Sequence, residues 1–512
     1  MAIKRYYADK DNTITNAFQS DLTTRGTGSN MGLADSLEVF YIYAQESSAS
    51  AEKSRVLLQF PVTSSDISGI TTILADRQAG KIPASGSVDF YLRMYNVASH
   101  KTLPKNFTLN VFAVSQSWEE GNGVDLDNYT DLTYDGTGSN WINAAAQTEW
   151  VDVNGDAIQG GSYLTSSVYD EFIYEQTFGE TGTGDLEVKI TGLVEQWILG
   201  TGQNNPAGDP GFPNYGVGVM LTSSQESGSQ SYYSKMFSAR GSEYFFSRPV
   251  IEARWDSSQK DNRGNFVLSS SALSSDDNLN TLYFYNYHRG QPTNIAGVGP
   301  SVPIYVSVFT SRTGTETITT TPNNPVTGGW VSTGVYSASF ALNTTESVVY
   351  DRWFSASADN GIDDATSTVY NTGSITIVDQ KPQYDFYIPD YVTTITNLKQ
   401  SYKKGDTARF RLFTRMKDWN PTIYTVASTE IRNSIVDDAY FKIYRTYDNK
   451  EVVAYGTGSL NHTRLSYDVS GSYFDFDMSM LEPDYIYGIK FLYYSNGEYH
   501  EQKEVFKFRV EE

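Results

Sequence analysis

The sequence predicts an all-β protein: a large jelly-roll-like β-sandwich followed by two immunoglobulin-like β-sandwiches. Three observations carry this. Aromatic residues make up 14% of the chain, with 38 Tyr and 26 Phe, a composition suited to half-buried pleated surfaces. Runs of aromatic and β-branched residues are short and separated by clusters of Gly, Ser, Thr and Asn, the pattern of strands divided by turns. Segments such as Phe107 to Val114 alternate apolar and polar residues with period two.

At 512 residues the chain exceeds what one hydrophobic core serves, so several domains are expected. Strand-like runs cover Ser36 to Tyr43, Ser54 to Phe60, Ser87 to Val97, Phe107 to Val114, Glu187 to Trp197, Gly216 to Leu221, Tyr232 to Ser238 and Val250 to Trp255. They predict a two-sheet sandwich over 1–255. Tryptophans mark two strand ends, at Trp118-Glu119-Glu120-Gly121 and at Trp197, and are expected to seal the end of a core. Residues 125–184, rich in Asp, Gly, Ser and Asn, read as a long loop insertion and the place to seek a partner.

The polar stretch Asp256 to Gly264 lacks periodicity and reads as a linker. Beyond it, Thr281 to Tyr287, Ile304 to Phe309, Val335 to Ala341, Val348 to Phe354 and Ser374 to Val378 fit an immunoglobulin-like sandwich over 256–382, closed by Asp379-Gln380-Lys381-Pro382. Tyr391 to Asn397, Ala408 to Arg415, Ala439 to Tyr447, Tyr473 to Met478, Tyr485 to Tyr494 and Glu504 to Val510 fit a second over 383–512. Gly-Thr-Gly-Ser recurs at Gly26, Gly136 and Gly456 at irregular intervals and reads as a turn habit, not a repeat.

Lys and Arg number 38 against 60 Asp and Glu, a net charge of −22. Such a chain repels phosphate backbones and anionic lipid, so neither nucleic acid nor a membrane surface is an expected partner. No apolar run reaches the length of about 18 residues that membrane insertion needs. The absence of cysteine excludes disulfides and thiolate metal sites. The start Met1 to Asp9 lacks the apolar stretch of a signal peptide. A β-rich, acidic, multidomain chain without that signal fits a particle assembled in a host cytoplasm.

Few constellations offer chemistry. Asp125, Asp127 and Asp131 place three carboxylates within seven residues and are candidate oxygen ligands for Ca²⁺, but Tyr129 and Thr130 break the EF-hand pattern, which favours a solvated acidic loop. Asp152-Val153-Asn154-Gly155-Asp156 is first a hairpin turn. Glu119 and Glu120 could suggest a glycosidase pair, yet adjacent side chains point apart, and a strand-end cap or salt-bridge role is the better reading. His100, His288, His462 and His500 lie in unrelated segments without ligand spacing. With no Gly-x-Ser-x-Gly elbow and no phosphate loop, the reading is that the chain is not an enzyme and carries no cofactor. Trp141 and Trp150 are the candidate contacts for a glycan or partner; Tyr41, Tyr43 and Tyr215 could also stack on sugar rings, though core packing is the expected use of most aromatics here.

Residues 1–255 resemble the bacterial and archaeal surface β-sandwich named for its DNRLRE motif, related to disaggregatase-type carbohydrate-binding modules. The resemblance rests on Arg55 to Phe60, Tyr91 to Tyr95, Ser117 to Gly121, Leu193 to Gly200, Asn214 to Val217, Phe237 to Glu243 and Arg248 to Ile251. The 125–184 insertion, and Ala239 and Gly241 within the usual Ser-Arg-Glu run, depart from the pattern. The whole chain is similar to virion structural proteins of marine tailed phages, particularly cyanophage-like myoviruses, through Ile3 to Asp9, Gly26 to Met31, Arg248 to Trp255, Asp475 to Ser479, Leu481 to Pro483 and Tyr487 to Phe491.

That resemblance implies a non-enzymatic virion component at the tail or baseplate, with neck and head decoration as other positions. Its partners would be other virion proteins and symmetric copies of itself. The alternative is a carbohydrate-binding adhesin that attaches the particle to a host glycan.

Overall fold

Apolar side chains at every second position decide which face each strand of the first sandwich buries. Its strands are β1 (Ile3–Tyr7), β2 (Lys10–Thr15), β3 (Ser36–Tyr43), β4 (Ala51–Gln59), β5 (Asp89–Met94), β6 (Phe107–Ala113), β7 (Asn143–Ala145), β8 (Thr148–Val151), β9 (Ala157–Ile158), β10 (Tyr174–Phe178), β11 (Leu186–Lys189), β12 (Val217–Leu221), β13 (Tyr232–Ser238) and β14 (Val250–Arg254), with helices α1 (Ile73–Gln78) and α2 (Thr191–Leu199). These belong to a computed structural model that describes the chain apart from residues 1, 49, 66, 100–101, 125–136, 166–170, 205–207, 209–210, 357–366, 379–389, 420–421 and 424–432. The protein is all-β and divides into two compact units, Ala2–Asp256 and Ser257–Glu512.

In the first unit a four-stranded sheet, ordered β1-β14-β5-β11, faces a seven-stranded sheet ordered β10-β6-β12-β4-β3-β13, with β2 also paired to β4. Phe90, Leu92 and Met94 of β5 and Phe107, Leu109, Val111 and Ala113 of β6 point into the core between them. The segment expected to be one strand from Glu187 to Trp197 is two elements: β11, then α2, which lays Leu193, Val194 and Trp197 against the same core. Its apolar positions 193, 194 and 197 have helical spacing, which overrides the period-two reading. Arg77 of α1 holds Glu195 of α2 through bonds of 2.7 and 2.6 Å.

The outer face of the four-stranded sheet carries charge instead of apolar residues. Glu252 accepts from Arg5 at 2.8 Å, from Arg93 at 3.3 Å and from Arg254 at 2.6 and 3.0 Å. Burial works against the carboxylate, but the three guanidinium groups outweigh it and hold its pKa well below the usual range.

Residues 125–184 are not simply a loop. Their described part forms the small β7-β8-β9 sheet and supplies β10, which pairs with β6 from Tyr174↔Val111 to Phe178↔Phe107. The β7-β8-β9 layer covers the outer face of the seven-stranded sheet around β2 and β4 and creates a second core of Ile14, Leu57, Val114, Trp118, Trp141, Ala144 and Trp150. The N-terminal strands β1 and β2, unforeseen in the sequence, complete the two sheets.

In the second unit, Phe266–Val267, Val369–Val378, Val348–Phe354, Ile304–Phe309, Val326–Ser332, Val335–Leu342 and Asn280–Tyr285 form one sheet in that order, with Thr320–Thr321 paired to Val335–Leu342. It surrounds a core that includes Phe284, Tyr336, Phe340 and Trp353. Residues from Tyr391 onward form a four-stranded and a six-stranded sheet. Between them Phe441 stacks on Phe474 at 4.1 Å and Phe474 on Phe410 at 5.0 Å. In each half of the unit a short early strand runs parallel to the last one: Phe266↔Ile377 and Ser401↔Arg509. The segment Asp379 to Pro382 lies outside the described residues.

The expected linker is instead a strap. Gln259 and Asp261 exchange backbone bonds with Tyr467 at 2.9 and 3.1 Å, and Arg263 grips buried Asp351 through both guanidinium ends. Polarity without periodicity here reflects pairing to several neighbours, not solvation.

Glu252→Ala should cost about 3–5 kcal/mol in urea denaturation, because it leaves three guanidinium groups without their shared carboxylate. The stability that Glu252 confers is complete above its unfolded value of about 4.5 and is lost as pH falls, so the variant should differ least from the parent in acid.

Candidate functional site

The Trp118-Glu119-Glu120-Gly121 segment follows β6 and gathers distant parts of the chain at one end of the first sandwich. Trp118 is 2% exposed and donates from Nε1 to the Tyr215 carbonyl at 2.8 Å. It belongs to the outer core, not to the core between the two main sheets. Glu119 receives the Gly138 and Ala146 amides on Oε2 at 3.4 and 3.5 Å. Glu120 accepts from Arg240 at 2.8, 2.9 and 3.0 Å, and its Oε1 also takes the Asp11 amide at 3.0 Å. The Asp11 carboxylate in turn accepts from the Arg240 backbone amide. Burial pushes the Asp11 carboxyl up to about 7; the neighbouring Glu120 adds to this, and the amide and charge of Arg240 oppose it.

Asn30 and Asn12 bind the surrounding loops. Asn30 Oδ1 accepts the Gly123 amide at 2.7 Å and its Nδ2 donates to the Thr137 carbonyl at 3.3 Å. Asn12 Nδ2 donates to the Ser139 carbonyl and hydroxyl, both at 2.9 Å. A Cβ on Gly121 would lie 2.2 Å from Asn30 Nδ2, so the close approach requires glycine. The Gly-Thr-Gly-Ser-Asn copies at 26–30 and 136–140 therefore meet in space: Trp141 donates its amide to the Thr27 carbonyl at 3.1 Å. A shared turn sequence is here a shared junction, with Gly136 itself outside the described residues.

The residues singled out for contact lie elsewhere than expected. Trp150 is fully buried and donates to the Asn140 carbonyl at 2.8 Å, and Trp141 is 5% exposed beneath the Arg55 guanidinium. Neither presents a ring face to a sugar, because the layer built from 137–164 spends both on its own core. Tyr41 is buried, Tyr43 is half-buried with its hydroxyl on the Ser48 carbonyl, and Tyr215 packs against the outer core. Asp125, Asp127 and Asp131 lie outside the described residues; among the described residues no group of three or more His, Asp and Glu could hold a metal ion.

Sequence reasoning did not find the Glu120–Arg240 pair or Asp11. The only signal was that the Glu-Glu and Ala-Arg-Gly segments both follow strands. In the second unit a further polar pocket of about 420 Å³ is lined by Asp261, Arg263, Tyr285, Gly373 and Asp468. There burial raises the Asp261 carboxyl to about 6, against the pull of Arg263.

No protein-family model matches this sequence, and neither does any curated protein. Among solved structures, a chimeric titin Z1Z2 functionalized with a KLER exogenous peptide from decorin aligns at 12% identity over 48% of this chain and 92% of its own, with a TM-score of 0.15. The trypsin-activated α2-macroglobulin from Escherichia coli aligns at 7% identity over 90% of this chain and 24% of its own, also at 0.15. Its native conformation aligns at 8% identity over all of this chain and 26% of its own, again at 0.15. The chain thus spans about a quarter of the α2-macroglobulin it aligns with.

Asp11→Asn tests the buried carboxyl. A folded pKa raised from 3.8 to about 7 confers stability that is complete below the lower value and lost as pH rises through the upper one. The variant should gain about 2–4 kcal/mol on the parent between pH 4 and 8 in urea denaturation. Trp150→Ala should cost about 3–5 kcal/mol by the same measurement, since it empties the outer core.

Proposed function

We propose that this chain is a non-enzymatic structural component of a tailed bacteriophage particle, associated with the tail or baseplate and acting through protein–protein contacts. One observation supports a structural role above a catalytic one. Glu119 and Glu120, the carboxylates a sugar-cleaving site would need, are engaged by backbone amides and by Arg240 inside the junction that closes the first sandwich. The aromatics that a glycan surface would use, Trp141 and Trp150, are core residues.

The particle itself is argued from the resemblance to marine phage virion proteins. A net charge of −22 suits contact with other proteins more than with nucleic acid or anionic lipid. Leu33 and Val124 are each 54% exposed, and the Leu33 amide donates to the carbonyl of Gly123, the residue before Val124, at 2.9 Å. In this reading they belong to the surface that meets neighbouring virion proteins or copies of the chain.

The test is to purify particles of a phage encoding this protein, identify their proteins by mass spectrometry and obtain a cryo-electron map. The expected result is the chain at the tail or baseplate in a copy number set by particle symmetry. Its absence from purified particles would overturn the proposal.

A further inference from the structure

Lys235 lies at a core-facing position of β13, two residues from Phe237, and is fully buried. Its Nζ is flanked by the rings of Phe178 and Phe237, each 5.1 Å from the ring centre. The three groups it contacts are neutral oxygens: the Gly182 carbonyl at 2.8 Å, the Gly184 carbonyl at 2.9 Å and the side-chain amide of Asn96. A buried ammonium without a carboxylate in contact is costly, and desolvation lowers its pKa to about 8, opposed by the nearby charge of Asp185. A substantial share of this lysine is therefore a neutral amine near physiological pH, held against a carboxamide.

Asn96 is tied to both neighbours. It forms an isolated bridge with Phe237, so β13 and the end of β5 run side by side at this point. Its backbone amide donates to Asp185 Oδ1 at 2.8 Å. An amine nucleophile and a primary amide thus meet at the seam between the two main sheets.

We propose that Lys235 and Asn96 form an intramolecular isopeptide bond. The Nζ lone pair attacks Asn96 Cγ, a C–N bond forms, and the bond from Cγ to Nδ2 breaks. The proton released from Nζ passes to the departing nitrogen, which leaves as ammonia. The product is a secondary amide; nothing is oxidised or reduced and no co-reactant is consumed. The two glycine carbonyls orient the amine, and the aromatic walls keep water from the site. The cross-link would join a strand of the four-stranded sheet to one of the seven-stranded sheet, a role separate from the contacts proposed for the particle.

The test is the intact mass of the purified full-length chain, followed by tryptic peptide mapping. The expected result is a mass below the sequence value by one ammonia and a branched peptide joining the segments that contain Asn96 and Lys235. Bond formation should speed up about tenfold per pH unit below about 8 and level off above it, as the amine loses its proton. Asn96→Ala and Lys235→Arg should keep the full mass. Because Lys235→Arg can fail to fold, Asn96→Ala, at a half-buried position, is the more informative variant: it should fold by circular dichroism yet keep the full mass. The unmodified mass in parent protein held at pH 9, or ammonia loss without the branched peptide, would overturn the proposal.

Discussion

Burial of both faces of the seven-stranded sheet at its middle strands, β2 and β12 above all, is the constraint on which the first unit depends. A strand in that position has no solvent to turn to, so every polar group it carries needs a partner inside the protein. β2 shows the consequence: Asp11, Asn12, Thr13 and Thr15 are all buried, and Asn12 spends its amide on Ser139 and the Met31 backbone. Gly218 in β12 follows from the same constraint, since a Cβ there would lie 2.2 Å from the Tyr163 ring of the covering layer. Arg55 reaches out of β4 to Glu226 and the Gly160 carbonyl, pinning that layer in place.

The junction around Trp118 is the visible edge of this arrangement. Its motif segments are far apart in sequence but share one set of bonds: Arg240 with Glu120, Trp118 with Tyr215, and Asn214 with the Phe60 carbonyl at 2.7 Å. Motif residues that suggest a binding site are here the means by which strand ends are fixed to one another. Asn30 bonds Gly123 and Thr137 at once, so two stretches of chain that flank residues 125–136 in sequence are held by one side chain.

The all-β class and most strands were legible because period-two alternation needs only local sequence. Ser36–Tyr43, Ile304–Phe309 and Val348–Phe354 have the bounds that their residues suggest. What was not legible depended on partners. β2 reads as polar because its hydrogen-bonding side chains are satisfied by loops more than a hundred residues away. The helix α2 was hidden in an apolar run that fits either period over so short a length. Trp141 and Trp150 looked free because the layer that buries them is stitched together by turns with weak local signals. In the same way, Lys235 stands out only once the alternation of Tyr232–Ser238 is set against a buried neighbourhood.

The parallel pairing of an early strand with the last one in each half of the second unit also bears on force. At Ser401–Lys403 and Phe506–Glu511, the start of one strand and the end of the other lie at opposite ends of a shared ladder. Tension applied along the chain loads those backbone bonds together in shear, instead of opening them one after another as at a peeling edge. The same holds for Phe266–Val267 against Val369–Val378. Each ladder would thus extend little under load until all of its bonds give way together.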